Sequence, residues 1–142
     1  MCAAGFYHND ETKMVTPYRH FNTWMGDPVR VLLSANQNMM IERDGLLKNV
    51  HEASSVLRTG LMKLSAEFPE YVANVRGVGT FLAFDTANTA HRDALVGAMR
   101  ANGVNTGGCG PASMRLRPSL YFTDKHADIY LEILSKSLAE LS

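Results

Sequence analysis

The chain has 142 residues, 46% of them hydrophobic, which is enough to bury one modest core. Its 14 basic and 14 acidic residues give a formal net charge of zero, so we expect neither nucleic acid nor an anionic membrane surface as a partner. No apolar run approaches the roughly 20 residues that a transmembrane helix needs.

Residues 1–28 combine Gly, Asn, Asp, Thr and Pro with scattered aromatic residues, without helical or strand periodicity. We expect irregular chain here, at the end of a preceding domain. The stretch Met1–His8 has neither a basic start nor a long apolar run, so we predict no signal or transit peptide within it.

Two helices are predicted to follow. Asp27 is a suitable N-cap and Pro28 a suitable first residue for a helix that ends near 43–45. Apolar residues at three- and four-residue spacing predict a second helix over about 46–68, which Pro69 stops.

The middle of the chain alternates between strand and helix patterns. Residues 75–85 predict one strand with a glycine-marked bend or bulge. Residues 89–102 predict a third helix with Gly103 as its C-terminal cap. A short strand over 104–106 is predicted before a glycine turn at 107–110.

Arg115 and Arg117 lie two residues apart in a predicted strand that ends at Pro118. Because residues i and i+2 share a face, Met114 and Leu116 would face the core and both guanidinium groups would project the other way. Two such groups suit a carboxylate or phosphate, which guanidinium binds bidentately. The alternative is a solvated edge strand with salt bridges to helix carboxylates, and side-chain chemistry alone leaves both open.

A last helix is predicted to begin near Thr123–Asp124, with its apolar residues on one side. The predicted order is α-α-β-α-β-β-α. The expected architecture is a small sheet covered by helices, of α/β or α+β class.

The cysteines and histidines indicate no metal or redox site. Cys2 and Cys109 are far apart and form no Cys-x-x-Cys pair, which favours a reducing compartment over a disulfide scaffold. No base is evident for Cys109, so we interpret it as a small packed thiol. The five histidines lack metal-ligand spacing, and we predict no metal site.

Several short motifs follow one another across nearly the whole chain: Pro17-Tyr18-Arg19, Phe21-Asn22-Thr23-Trp24, Gly26-Asp27-Pro28, Val75-Arg76-Gly77, Gly79-Thr80-Phe81, Phe84-Asp85, Gly107-Gly108-Cys109-Gly110, Arg115 and Arg117-Pro118. Taken singly, each has a structural explanation, such as a packed loop, a bulge or a turn. In this order and spacing they resemble the C-terminal third of class III, pyridoxal-phosphate-dependent aminotransferases, particularly the 4-aminobutyrate type.

The resemblance implies the C-terminal domain of aminotransferase fold type I. Residues 1–28 would then be the end of the large cofactor-binding domain. Residues 29–45 would form a connecting helix, and residues 46–142 the small domain.

The resemblance also implies site residues. Thr23 matches a threonine that reaches across a homodimer to the cofactor phosphate of the neighbouring subunit, and Asn22 beside it is assigned to the same phosphate site. Phe21 matches an aromatic residue that accompanies them and is assigned to substrate binding. Arg115 matches the arginine that holds a substrate carboxylate, as in glutamate or 2-oxoglutarate, whereas Arg117 supports either the site or the fold.

By the same resemblance, the lysine that forms the Schiff base with pyridoxal 5′-phosphate lies upstream of the stretch matching Met1–His8, as do the iron–sulfur cysteines of the family. We therefore expect a fragment of a mitochondrial 4-aminobutyrate:2-oxoglutarate transaminase that is inactive alone. Two alternatives stay open. One is a non-catalytic remnant that binds or dimerises, and the other is a class III enzyme acting on ω-amino acids or ornithine.

Overall fold

The computed structural model describes residues 9–13, 15–18, 23 and 26–142. The chain divides into two units, Met1–Asp44 and Gly45–Ser142. The assignment of a large-domain tail, a connecting helix and a small domain remains a prediction.

The first unit contains helix α1 (Pro28–Arg43), with the cap that the sequence predicts. One carboxylate oxygen of Asp27 accepts from the backbone N–H groups of Val29 and Arg30 at 2.9 and 3.1 Å. No residue of α1 is buried. Its apolar stripe, including Leu32 and Met39, is therefore exposed in this structure.

The second unit holds three helices and four strands: α2 (Leu46–Glu67), β1 (Ala73–Val78), β2 (Phe81–Asp85), α3 (Thr89–Ala101), β3 (Gly107–Cys109), β4 (Ser113–Leu116) and α4 (Asp124–Leu141). The four predicted helices lie within two residues of the observed bounds. The strands form one sheet in the order β1-β2-β4-β3, with all neighbours antiparallel. The expected combination of helices and a small sheet is confirmed.

The prediction of one bent strand over 75–85 is wrong, because this segment is a hairpin of β1 and β2. Val78 pairs with Phe81, so the chain reverses within two residues. Gly77 and Gly79 have φ of +123° and +57°, which side chains disfavour and glycine tolerates. The glycines therefore mark a reversal rather than a bulge within one strand.

The prediction of a strand over 104–106 is also wrong. Those residues are irregular, and β3 instead occupies the first part of the predicted glycine turn. Gly107 pairs with Arg115 and Cys109 pairs with Ser113, and Gly110, with φ of +58°, lies in the turn. Pairing with β4 determines this strand, because its own side chains have no strand pattern.

The core lies between the three helices and one face of the sheet. Side chains with no exposed surface come from α2, β2, β4 and α4, for example Leu57, Phe84, Met114 and Leu134. The opposite sheet face is open, and Phe81 on it is 57% exposed. Among the described residues, no helix has the length and apolar character of a membrane span.

The hairpin turn predicts a strong effect of substitution at Gly77. A Cβ there would collide with the carbonyl oxygen of Phe81 and lie 2.9 Å from the Cα of Leu82. We expect Gly77→Ala to lower the free energy of unfolding by about 2–4 kcal/mol in urea denaturation at 25 °C. The matched control is Gly97→Ala in α3, where a Cβ would meet no atom within 4 Å. Because alanine favours the helix more than glycine does, this substitution should raise the free energy of unfolding by about 0.5–1 kcal/mol. Equal effects of the two substitutions would contradict this account.

Candidate functional site

Arg115 projects from the open face of the sheet. Its neighbours in β4, Met114 and Leu116, are 0% and 5% exposed, whereas Arg115 is exposed, so the predicted alternation is confirmed. The directly opposed residues are Ala83 on β2 and Gly107 on β3. Since both are small, the guanidinium group has no bulky neighbour across the strands.

The edge-strand part of the alternative prediction is wrong, whereas its solvated face agrees with the exposure of both arginines. The strand β4 is paired on both sides, by β2 and by β3. Arg117 lies one residue beyond β4 and is exposed. Neither Arg115 nor Arg117 has a hydrogen bond or ion pair with any residue that the structure describes.

A cavity of about 570 Å³ adjoins both arginines. Arg100, in the last turn of α3, is a third guanidinium group in its lining and also lacks a described partner. No acidic residue lines the cavity within the described part of the chain. Three cations without a counter-charge make it suited to an anion.

Polar groups from two further elements line the same cavity. Asn105 and Thr106 precede β3, and Tyr130 comes from α4. Tyr130 is 8% exposed, and its hydroxyl makes no hydrogen bond of normal geometry with the described residues. Burial raises the pKa of Tyr130, an effect that the nearby Thr106 side chain partly offsets, so the hydroxyl stays protonated at neutral pH.

The start of α3 holds the turn that leads into β4. The Thr89 hydroxyl donates to the carbonyl of Pro111 at 2.7 Å, and the Arg92 guanidinium donates to the carbonyl of Gly110. A Cβ on Gly108 would lie 2.6 Å from the Cδ of Arg92. Glycine at 108 therefore leaves room for the Arg92 side chain to cross β3. The glycine-rich motif thus has a packing role, because it lets Arg92 hold the turn that precedes β4 and Arg115.

Asn49 holds the segment that follows the arginines. Its side-chain amide donates to the carbonyls of Leu120 and Phe122 at 2.7 and 2.9 Å. This asparagine lies on α2, more than 70 residues earlier in sequence, so no local pattern identified it. Arg100 and Tyr130 were also missed, because each lies on a helix whose neighbours only the fold reveals.

The other predicted site residues lie in the first unit or on β3. Thr23 is exposed and makes no hydrogen bond with the described residues, whereas Phe21 and Asn22 lie outside those residues. Cys109 is exposed, so its interpretation as a packed thiol is wrong. It pairs with Ser113 on the open face instead of pointing to the core. No three His, Cys, Asp or Glu residues gather in the described part of the chain to hold a metal or cluster.

Comparisons with known proteins agree on one family. The model of the family described as "Aminotransferase class-III" matches residues 1–138. The 4-aminobutyrate aminotransferase, mitochondrial, of Rattus norvegicus is 47% identical over 140 residues, 99% of this chain and 28% of that protein. The 4-aminobutyrate aminotransferase of Dictyostelium discoideum is 42% identical over 141 residues, with the same coverage.

A solved structure is similar in fold over most of the chain. The lysine aminotransferase from M. tuberculosis has a TM-score of 0.79 and 28% sequence identity, and the match covers 89% of this chain and 29% of that one. The chain thus spans less than a third of the length of the proteins it resembles.

Tyr130 gives a prediction that depends on pH. Tyr130→Phe removes a buried hydroxyl that makes no hydrogen bond of normal geometry with the described residues, so at pH 8 we expect an unchanged or up to about 1 kcal/mol higher free energy of unfolding. Because burial raises the pKa of Tyr130 above the value of about 10 in the unfolded chain, ionisation favours unfolding only above that pH. The advantage of Tyr130→Phe over wild type should therefore widen between pH 10 and pH 11.

Urea denaturation at pH 8 and pH 11 measures both effects. The control is Tyr71→Phe, since the Tyr71 hydroxyl donates to the carbonyl of Leu141 at 3.3 Å and its loss should lower stability at pH 8. A difference in the free energy of unfolding between Tyr130→Phe and wild type that stays constant with pH would contradict the raised pKa of Tyr130.

Proposed function

This chain belongs to the class III aminotransferases, and on that premise we propose that its parent protein transfers an amino group from 4-aminobutyrate to 2-oxoglutarate. The products are succinate semialdehyde and glutamate. Relatives named 4-aminobutyrate aminotransferase, matched over 99% of this chain, support 4-aminobutyrate as the amino donor. The observation that carries the proposal is the unpaired guanidinium group of Arg115 in a cavity lined by cations.

In this proposal Arg115 binds a substrate carboxylate. A guanidinium group donates two parallel hydrogen bonds to a carboxylate, which fixes the orientation as well as the position of the substrate. The small residues opposite it, Ala83 and Gly107, leave room for the ligand. Arg100 and Arg117 add positive potential to the same cavity and favour a substrate with two carboxylates.

Pyridoxal 5′-phosphate, when bound, supplies the electron sink that amino-group transfer requires. Within this chain Thr23 fits a phosphate contact, because its hydroxyl is exposed and has no described partner. One hydroxyl does not hold a cofactor. In this proposal the lysine that forms the Schiff base and the remaining cofactor contacts come from the rest of the parent. We assign Thr23 and Asn22 to the phosphate of a neighbouring subunit in a homodimer, and Phe21 to the substrate site.

We further place the parent in the mitochondrial matrix. The rat relative is named as a mitochondrial protein, whereas the name of the Dictyostelium relative gives no organelle.

Substitution of Arg115 in the full-length enzyme tests the proposed function. Arg115→Gln keeps a polar, hydrogen-bonding side chain but shortens it and removes the charge. We expect the KM for 2-oxoglutarate to rise roughly 30- to 100-fold, the size of a lost charge-assisted pair of hydrogen bonds. A coupled glutamate assay at fixed 4-aminobutyrate measures this.

Arg117→Gln is the matched control, since it removes the same charge from an exposed residue that lines the same cavity. We expect its KM for 2-oxoglutarate to change less than about threefold, because a charge that does not touch the ligand acts weakly in water. If both substitutions raise the KM equally, Arg115 is not the carboxylate ligand.

A second substitution tests the assignment of Thr23. Thr23→Val keeps the shape and removes the hydroxyl, whereas Thr23→Ser keeps the hydroxyl. We expect Thr23→Val to weaken retention of pyridoxal 5′-phosphate about tenfold, since one hydrogen bond to a charged group is lost. Dialysis followed by cofactor absorbance measures retention, and Thr23→Ser should stay close to wild type. Equal losses in the two variants would argue against a phosphate contact.

A further inference from the structure

The open sheet face carries one hydrogen-bonded network, centred on Asp85. One carboxylate oxygen accepts from an Arg76 guanidinium nitrogen at 2.8 Å and from the Ser113 hydroxyl at 2.6 Å. The other oxygen accepts from the Asn74 side-chain amide at 3.3 Å. Arg76 also donates to the Ser113 hydroxyl at 3.1 Å, so four side chains are joined.

Asp85 is within reach of Arg115 as well. Asp85 pairs in register with Ser113, and Ala83 pairs with Arg115, so Asp85 and Arg115 are diagonal neighbours on one face. Such neighbours have Cα atoms about 7–8 Å apart, which a long side chain spans. Arg76 is opposite Ala83 from the other side. Arg76 and Arg115 therefore lie on either side of Ala83, and the small Ala83 side chain leaves both guanidinium groups access to Asp85.

Among the described residues, Asp85 forms an ion pair only with Arg76. The Arg76–Asp85 ion pair is 2.8 Å long, whereas Arg115 has no ion pair with the described residues. A second guanidinium nitrogen of Arg76 donates to the carbonyl of Asn74 at 3.0 Å, which fixes the group at both ends. Hydrogen bonding to Arg76 holds the pKa of Asp85 below its usual range against slight desolvation, so the carboxylate is charged at neutral pH.

We infer that Arg76 is a positioning residue, which engages Asp85 and so keeps the Arg115 guanidinium group free for an external carboxylate. Without Arg76, Asp85 would be an uncompensated carboxylate beside Arg115 and would compete with the ligand for the same donors. The competition within the chain does not depend on the proposed function. Only the identity of the external carboxylate, a substrate of the transaminase, rests on that function.

A double-mutant cycle on the 142-residue chain tests the competition directly. The readout is the pKa of Asp85, measured by carbon-13 NMR of its carboxyl group. We expect Arg76→Gln to raise it. Arg115→Gln should change it little in the wild type but raise it further in the Arg76→Gln background, where Arg115 has replaced Arg76. The additional change is expected to be about two- to fivefold in the acid dissociation constant, as for a solvent-exposed ion pair.

Arg58→Gln is the control for a general loss of charge, because Arg58 donates to the carbonyl of Gly77 on the same hairpin at 2.6 Å. Its effect on the pKa of Asp85 should be the same in both backgrounds. Should Arg76→Gln fail to fold, Arg76→Lys keeps the charge, loses the fork and should give a smaller change of the same sign. An Arg115→Gln effect that is equal in both backgrounds overturns the inference.

The full-length enzyme gives a second, separate readout. Arg76→Gln should raise the KM for 2-oxoglutarate roughly two- to sixfold, because Arg115 then spends much of its time on Asp85. Adding Asp85→Asn removes the competitor and should restore the KM. If the NMR cycle shows the coupling but the KM does not move, the inference stands and Arg115 is not the substrate ligand. If the KM rises without rescue by Asp85→Asn, Arg76 acts in another way and the inference fails.

Discussion

The alternation of side chains along β4 is the constraint on which the candidate site depends. Met114 and Leu116 are buried between the sheet and the helices, and a strand that commits two residues to one face must present the residue between them on the other. Burial of a large apolar side chain contributes about 1.5–3 kcal/mol, more than an exposed charge gains or loses by moving on a surface. Core packing therefore fixes the direction of Arg115 without any contact to the arginine itself.

Direction is useful only if the register is fixed too, because a slip of one residue would exchange the two faces. Contacts from outside β4 prevent that slip. The turn before the strand is held by Thr89 and Arg92 of α3, and the segment after it is held by Asn49 of α2. The helices thus serve the site twice, by covering the core face and by securing both ends of the strand.

The features that the sequence predicted are those that local chemistry decides. Asp27 and Pro28 define a helix start, and the pattern around Arg115 defines a strand with one buried and one open face. The features it missed depend on pairing between distant residues. A single strand over residues 75–85 would place Arg76 and Asp85 near its opposite ends, whereas the hairpin brings their side chains to 2.8 Å. The short run Gly77-Val78-Gly79-Thr80 between apolar residues was the available signal for that reversal.

The distribution of charge explains how a chain with no net charge can contain a candidate anion site. Its 14 basic and 14 acidic residues balance overall, so no long-range field gathers anions at its surface. The balance is uneven locally, because the cavity lined by Arg100, Arg115 and Arg117 has no acidic residue among the described ones. Selectivity then requires that a carboxylate within reach of Arg115 be engaged elsewhere. Arg76 meets that requirement at Asp85 on the open sheet face, where an unengaged aspartate would compete with the ligand for Arg115.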